Sequence, residues 1–229
     1  MSIITRIFGP RIPPEELTRH PGRYALPTIT LSAARICLLA SLFLPYWHMK
    51  LEAPQYPKGL YLTAYVNRVE GHVREINALN HYIGMRRLEE AAPLEKTISV
   101  WAIIAMVLLV EGATFIHSRW AVLLVLPTIL FPAAFLGDMY WWMREFGLNL
   151  DPHAPLSSSV KPFVPTILGI GQIGQFRTIA WMGWGLYLAW AASGLSLLAL
   201  VFHRLAYKPL FERAVQGAAG GQKEVSCAT

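Results

Sequence analysis

Four long apolar windows constrain the fold of this chain more than any other feature of its sequence. A helix that crosses a bilayer needs about 20 predominantly apolar residues. The windows lie at residues 26–47, 97–117, 120–142 and 179–202. Each has a tryptophan at or near at least one end, where amphipathic rings prefer the membrane interface. The sequence therefore predicts four transmembrane helices.

The overall composition agrees with an integral membrane protein. Of the 229 residues, 54% are apolar and only 15% are charged, whereas soluble domains carry roughly 25% charged residues. The basic residues behind the net charge of +6 are dispersed and accompany no nucleic-acid-binding motif, so we expect no nucleic-acid partner. Cys37 lies inside the first window and Cys227 near the end of the chain, which predicts no disulfide framework.

The distribution of charge and proline predicts three parts and an orientation. Residues 1–25 form an N-terminal strap, 26–205 the transmembrane domain, and 206–229 a flexible tail. The first window is expected to remain in the protein, because no signal-peptide cleavage site follows it. Basic residues are densest before the first window, between the second and third, and after the fourth, which places both termini in the cytoplasm. We therefore expect a multi-pass protein of the bacterial inner membrane, with residues 48–96 and 143–178 in the periplasm.

The two long outer connections are predicted to form a cap. In residues 61–83 apolar side chains recur at spacings of three and four, which predicts an amphipathic helix that stops at Gly84. Residues 143–178 hold too many aromatic and aliphatic side chains for disorder. The G-x-G-x-x-G string at 169–174 lacks the strand–helix context of a dinucleotide site. The expected fold class is all-α, a bundle of four transmembrane helices with an amphipathic helix and an ordered loop cap on its outer side.

Two charged residues fall inside the apolar windows. Arg35 in the first and Glu111 in the second would lie at similar depths in antiparallel neighbours, given a rise of about 1.5 Å per residue. Inserting a lone charged side chain at this depth costs at least ~2.5 kcal/mol of free energy, so the two are expected to form an intramembrane ion pair. A structural bridge is favoured over a proton or quinone site, because the pair neutralises itself. His117 and His203 are expected to serve at the helix ends rather than to bind haem.

Histidines and methionines gather in the outer connections. Thioethers suit Cu(I) and imidazoles suit Cu(II) or Zn(II), so their mixture indicates copper if it indicates any metal. No strict ligand spacing is present, and each residue could equally pack or hydrogen-bond at the interface. Met139 and Met143 also lie in this region. No arrangement typical of a catalytic site is found, so the sequence does not predict an enzyme. The candidate metal ligands are His48, Met49, His81, Met85 and His153.

Two strings resemble a known family. "REINALNHYIGMRRLEE" at 74–90 and "FGLNLDPHAPLSSSVKPFVPTILGIGQIGQF" at 146–176 are similar to small four-helix membrane proteins encoded in gene clusters for respiratory nitrous-oxide reduction, particularly the Sec-exported type. The likeness extends over about 26–205. It implies a setting beside a periplasmic copper enzyme and an accessory role in copper supply, maturation or electron delivery. Of the candidate ligands, His81, Met85 and His153 lie in the matching strings.

Three functions follow as hypotheses. The first is an accessory membrane protein that binds or passes copper, or otherwise assists maturation or electron supply, for a periplasmic respiratory copper enzyme such as nitrous-oxide reductase. The second is a non-catalytic structural subunit of a respiratory or photosynthetic membrane complex, which needs no metal. The third is a quinol-interacting membrane anchor, in which Arg35, Glu111 or His81 would contact the quinol. All three have the lipid bilayer as a partner, and copper is the expected cofactor of the first.

Overall fold

The computed structural model describes residues 13–118, 120–156 and 158–227. Residues 1–12 of the predicted strap, and Arg119 in the turn between the second and third windows, lie outside this part. Four of its helices are long and apolar enough to cross a membrane, and they overlap the four predicted windows. The helices are α1 (Pro14–Arg19), α2 (Pro21–Ser41), α3 (Val73–Ile83), α4 (Pro93–Phe115), α5 (Ala121–Leu148) and α6 (Trp184–Cys227), with a 3-10 turn at Leu88–Glu90.

The expected all-α fold class is wrong, because the two long connections combine into one antiparallel sheet of five strands. Its strand order is β3-β2-β1-β5-β4. The chain is 61% helical and 16% strand, which makes it a mixed α/β protein. The central pairing joins β1 to β5, although two long helices lie between these strands in the sequence. The strands are β1 (Trp47–Ala53), β2 (Tyr56–Ala64), β3 (Val69–Gly71), β4 (Gly169–Ile173) and β5 (Phe176–Met182).

The predicted amphipathic helix over 61–83 is only half helical. Its C-terminal part is α3, and the predicted stop at Gly84 is confirmed, since Gly84 ends the helix in the left-handed conformation with φ 82°. Its N-terminal part belongs to β2 and β3, where Leu62 pairs with Gly71. A Cβ atom at Gly71 would lie 2.3 Å from the Tyr61 carbonyl oxygen, so only glycine fits this close pairing. The β-favouring run Tyr61 to Thr63 outweighs the apparent helical spacing.

Two window boundaries also change because apolar strands adjoin apolar helices. The first window was predicted to span 26–47, but α2 ends at Ser41 and Trp47 already begins β1. The fourth was predicted to begin at 179, but β5 runs to Met182 and α6 begins at Trp184. Hydropathy alone does not separate a buried strand from the end of a spanning helix.

The described residues form two compact units. The first unit contains the described residues up to 37, those from 105 to 130, and those from 191 onward. Within it the Arg35 guanidinium forms an ion pair with Glu111 and lies 2.6 Å from the Ser32 hydroxyl oxygen. The Ser193 hydroxyl donates to the Ile129 carbonyl oxygen at 2.8 Å. Its apolar core consists of Leu31, Val110, Ala113, Ala121, Val125 and Ala199.

The second unit contains residues 38–104 and 131–190, and therefore the whole sheet. Gly183 and Gly185 lie on either side of Trp184, the first residue of α6, and against the chain before β1. Their N–H groups donate to the carbonyl oxygens of Tyr46 and Pro45 at 2.8 and 2.7 Å. A Cβ atom at Gly183 would lie 2.2 Å from the Pro45 carbonyl oxygen, so the approach requires glycine. The core of this unit consists of Trp47, Leu51, Leu60, Leu62, Ile76, Leu88 and Ala180.

Candidate functional site

His48 and Met49 lie side by side on β1, and this decides what each can contact. Successive side chains of a strand point to opposite faces of the sheet. Met49 packs against the core of the second unit. His48 stacks on Trp181, with ring centroids 5.5 Å apart, and its Nδ1 lies 3.2 Å from the Thr63 hydroxyl oxygen. Partial burial lowers the pKa of His48. The two neighbours therefore cannot hold the same metal ion.

An apolar cavity of about 70 Å³ lies between the core face of the sheet, α3 and α5. Three methionines line it, Met49 from β1, Met85 from the segment after α3, and Met143 from α5. The rest of its lining is mainly aliphatic and aromatic, including Leu51, Ile76, Phe163 and Phe176. We call this space the methionine cavity. It brings Met49 and Met85 together, two of the five predicted ligands, and adds Met143.

Local backbone geometry positions each of the three thioethers. Met49 reaches the cavity through the alternation of β1. Met85 follows the left-handed residue Gly84, and its N–H donates to the Asn80 carbonyl oxygen at 2.8 Å, which turns the chain back toward α3. Met143 lies one turn after Met139 on α5. Met139 packs against the same core but does not line the cavity.

One residue of the cavity lining carries an unsatisfied buried hydroxyl. Thr178 of β5 lines the cavity and is 7% exposed, and its hydroxyl oxygen has no hydrogen-bond partner in the described part of the chain. Leaving such a group unpaired costs about 1–3 kcal/mol. Buried polar atoms without partners are uncommon, and an ion at the site is one of the few explanations. A Cβ atom at Gly171 of the neighbouring strand β4 would lie 2.7 Å from this hydroxyl oxygen, so the hydroxyl lies beside β4.

The two strings that carry the family resemblance meet beside Met85. The Asp151 N–H donates to the Gly84 carbonyl oxygen at 2.8 Å, and the Leu156 N–H donates to the Tyr82 carbonyl oxygen at 3.0 Å. A Cβ atom at Gly84 would lie 2.7 Å from the Asp151 carbonyl oxygen. Residues 151–156 are thus fixed against the end of α3 and hold the segment that carries Met85.

The predicted ligands His81 and His153 lie near this junction but outside the methionine cavity. Both side chains are exposed, His153 to 91%. The Nδ1 of His153 lies 3.3 Å from an Asp151 carboxylate oxygen. Hydrogen bonding from the His153 backbone N–H lowers the pKa of Asp151. Within the residues that the structure describes, no three histidine, cysteine, aspartate or glutamate side chains are grouped so that they could hold a metal ion.

Met143 and Thr178 are site residues that the sequence pattern does not predict. Met143 was noted only for its place in the outer region. Its spacing of four from Met139 at the end of a predicted span was a usable signal, because it puts both thioethers on one helix face near the cap. Thr178 gave no signal, since its role depends on the pairing of β5 with β1, which joins it to Leu51.

The remaining predicted features lie in the first unit. The Arg35–Glu111 ion pair leaves 46% of the Glu111 side chain exposed. The rings of His117 and His203 stack with centroids 6.0 Å apart, and both contact Tyr207. The His203 Nε2 lies 3.1 Å from the Ile116 carbonyl oxygen and donates a hydrogen bond to it, since a carbonyl can only accept. These contacts form one packed and hydrogen-bonded cluster.

Comparison with protein-family models and with curated proteins finds no match for this chain. The resemblance to proteins of nitrous-oxide gene clusters therefore depends on the quoted strings and stays a prediction. The chemistry of the candidate site has to be argued from its own residues, of which the three thioethers of the methionine cavity are the most specific.

Proposed function

We propose that this protein is an accessory membrane protein that binds Cu(I) in the methionine cavity and passes it to a copper-dependent partner. The observation that carries the proposal is that Met49, Met85 and Met143, from three separate elements, line one apolar cavity. Thioethers are soft, neutral ligands that select Cu(I) among biological metal ions. Three thioethers around one cavity offer a soft monovalent ion three donors, none of which has to lose a proton first.

The lining argues against harder metal ions. Among the residues that the structure describes, no carboxylate, imidazole or thiol lines the methionine cavity, and those are the ligands that Zn(II), Mg(II) and Ca(II) need. Burying a charge away from water is costly, and least so when the charge is single and has matched ligands. Thr178 and Asn80 are the polar residues among the described residues that line it. Cu(I) is the ion that best meets these conditions.

Transfer rather than permanent storage is supported by the position of Met85. It follows Gly84 in the segment after α3 and is only partly buried. The exposed His81 lies one turn earlier, so an imidazole is available at the surface as copper enters or leaves. A partner that accepts the ion would contact this segment and the adjoining residues 151–156. A periplasmic copper enzyme such as nitrous-oxide reductase is the partner that we propose.

This role requires the sheet to face the periplasm, with both termini in the cytoplasm of a bacterium. The proposal for orientation depends on the density of basic residues before α2 and after α6. The pairing of β1 with β5 is consistent with both long connections lying on one side of any membrane that the four helices cross, whichever side that is.

A Cu(I) competition titration tests the proposal. Detergent-purified protein is titrated anaerobically against a chromogenic Cu(I) chelator. We expect one tightly bound Cu(I) per chain, and at least a tenfold weaker affinity after Met143→Leu, because about 1.4 kcal/mol from one lost thioether already corresponds to that factor. Leucine has nearly the shape of methionine, so the core should stay packed.

Two controls make this titration specific. Met139→Leu removes a thioether from the same helix and core but not from the cavity, and should leave the affinity unchanged. The triple variant of His48, His81 and His153 to alanine should keep the same stoichiometry, since none of the three lines the cavity. If the histidine variant loses copper and Met143→Leu keeps it, the imidazoles rather than the thioethers bind the ion. No copper in the wild type would favour a metal-free structural subunit.

A further inference from the structure

The two edges of the five-stranded sheet are protected to different degrees. One edge is β3, which has only three residues and carries Glu70 in an ion pair with Arg68. The other edge is β4 (Gly169–Ile173), which contains no charged residue, no proline and no register shift against β5. Natural proteins blunt an exposed edge with charge, proline, a bulge or short length, because an unpaired strand is a template for another strand. By these criteria β3 is protected and β4 is not.

The outward backbone groups of β4 belong to Ile170 and Gln172. β4 and β5 form a hairpin whose two-residue turn is closed by the pair Ile173 and Phe176. In such a hairpin the closing pair exchanges both hydrogen bonds, and bonded and non-bonded pairs then alternate along the strands. The N–H and C=O groups of Ile170 and Gln172 therefore point away from β5. Among the residues that the structure describes, none forms a hydrogen bond with them.

The outer face of this edge is apolar and free of unpaired charge. Ile170 is 63% exposed and lies opposite Ile179 of β5. The charged residue nearest to the edge is Arg177, which lies opposite Gln172 and forms an ion pair with Glu52 of β1 at 3.8 Å. Two such edges can therefore approach each other without bringing unpaired like charges together.

We propose that a second copy of this chain pairs its own β4 with this edge, antiparallel and about a twofold axis at Gly171. In this register Ile170 of each copy lies opposite Gln172 of the other, and each pair exchanges both hydrogen bonds. Gly171 lies opposite its own copy in the closer, non-bonded position, where it brings no side chain into the contact. The two Ile170 side chains are diagonal neighbours across the axis and reach each other.

A second copy is favoured over an unrelated strand because the edge is complementary to itself. A twofold contact requires that the same patch on both copies match, and the outward groups of β4 are placed evenly on either side of one glycine. The two five-stranded sheets would become one continuous sheet, in which both copies lose an unprotected edge. This contact is independent of the copper proposal.

Cross-linking between two cysteine variants tests this register. Differently tagged Ile170→Cys and Gln172→Cys chains, both in a Cys37→Ala/Cys227→Ala background, are co-expressed and treated in the membrane with a short bifunctional thiol reagent. We expect a dimer that joins the two tags, because opposite residues of a bonded pair have Cα atoms about 5.5 Å apart. Tyr61→Cys is the matched control. Tyr61 is also exposed but lies in β2, which β1 and β5 separate from β4, so it should give no dimer.

A charge at the edge should weaken the pairing. Ile170→Lys places two ammonium groups as diagonal neighbours across the axis, so we expect the affinity between copies to fall about tenfold or more. The affinity is measured by Förster transfer between labelled full-length copies in lipid vesicles of varied protein content. Because Ile170 is exposed, the variant should fold. Gln175→Lys adds the same charge to the turn of the same hairpin, outside the paired strand, and should leave the affinity unchanged.

Three results would overturn the proposal. The first is no cross-link between Ile170→Cys and Gln172→Cys, or an equal one in Tyr61→Cys. The second is an unchanged affinity between copies in Ile170→Lys. The third is a cross-link from these positions to a different protein in place of the second copy, which would assign the edge to another partner.

Discussion

The Arg35→Leu variant is expected to be less stable than the wild type by about 3 kcal/mol, because it leaves Glu111 without its cation inside a spanning helix. The ion pair joins α2 to α4 in the first unit. Nearly half of the Glu111 side chain is uncovered by protein, so in a membrane its surroundings are lipid rather than water. An unpaired carboxylate there has to take up a proton or stay hydrated within the membrane, and both cost free energy.

The double variant Arg35→Leu/Glu111→Leu supplies the control. Removing both charges removes the desolvation cost together with the attraction, so most of the lost stability should return. The free energy of unfolding is measured in mixed micelles for the wild type, both single variants and the double variant. Equal stability of wild type and Arg35→Leu, or a double variant no better than the single one, would show that the bridge does not hold the helices together.

The Gly84→Ala variant is expected to lose about 2–4 kcal/mol of stability from two independent causes. The residue has φ 82°, where an L-residue pays about 1–2 kcal/mol. Its new Cβ atom would also lie 2.7 Å and 2.8 Å from the carbonyl oxygen and nitrogen of Asp151, a backbone contact that cannot move without breaking the junction of the two connections. Because Met85 is the next residue, Cu(I) affinity should fall in the same variant.

Gly174→Ala separates the two causes. Gly174 also has a positive φ, 58°, but nothing lies within 4 Å of its Cβ position. This variant should show the backbone strain alone, about 1–2 kcal/mol, and unchanged Cu(I) affinity. Thermal unfolding and the Cu(I) titration are measured on both variants. If the two glycine variants lose equal stability, the contact between Gly84 and Asp151 is not a structural clamp.

The membrane helices could be predicted from the sequence and the sheet could not, for a physical reason. A spanning helix is specified locally by about 20 apolar residues. The sheet depends on the pairing of β1 with β5, as in Trp47 opposite Met182, and these strands are separated in sequence by α3, α4 and α5. Short apolar strands that adjoin apolar helices carry no separate hydropathy signal, so Trp47 of β1 and residues 179–182 of β5 were assigned to the spanning windows.

The candidate site was predictable in its chemistry but not in its geometry. Thioethers in the outer connections were recognised, and Met49 and Met85 are two of the residues that line the cavity. Met49 and its neighbour His48 were both predicted ligands, whereas the strand sends the two to opposite faces of the sheet. Met143 joins the others only through tertiary packing, since α5 meets the sheet core. The predicted histidine ligands are exposed or stacked and do not enter the cavity.

The most direct test of the methionine cavity is the X-ray absorption spectrum of the Cu(I)-loaded protein at the copper edge. We predict a first shell of sulfur from Met49, Met85 and Met143, without the scattering pattern of imidazole rings. In the variant with all three methionines replaced by leucine, that sulfur shell should disappear. A first shell of nitrogen from histidine in the wild type, or an unchanged spectrum in the triple variant, would contradict the proposed site.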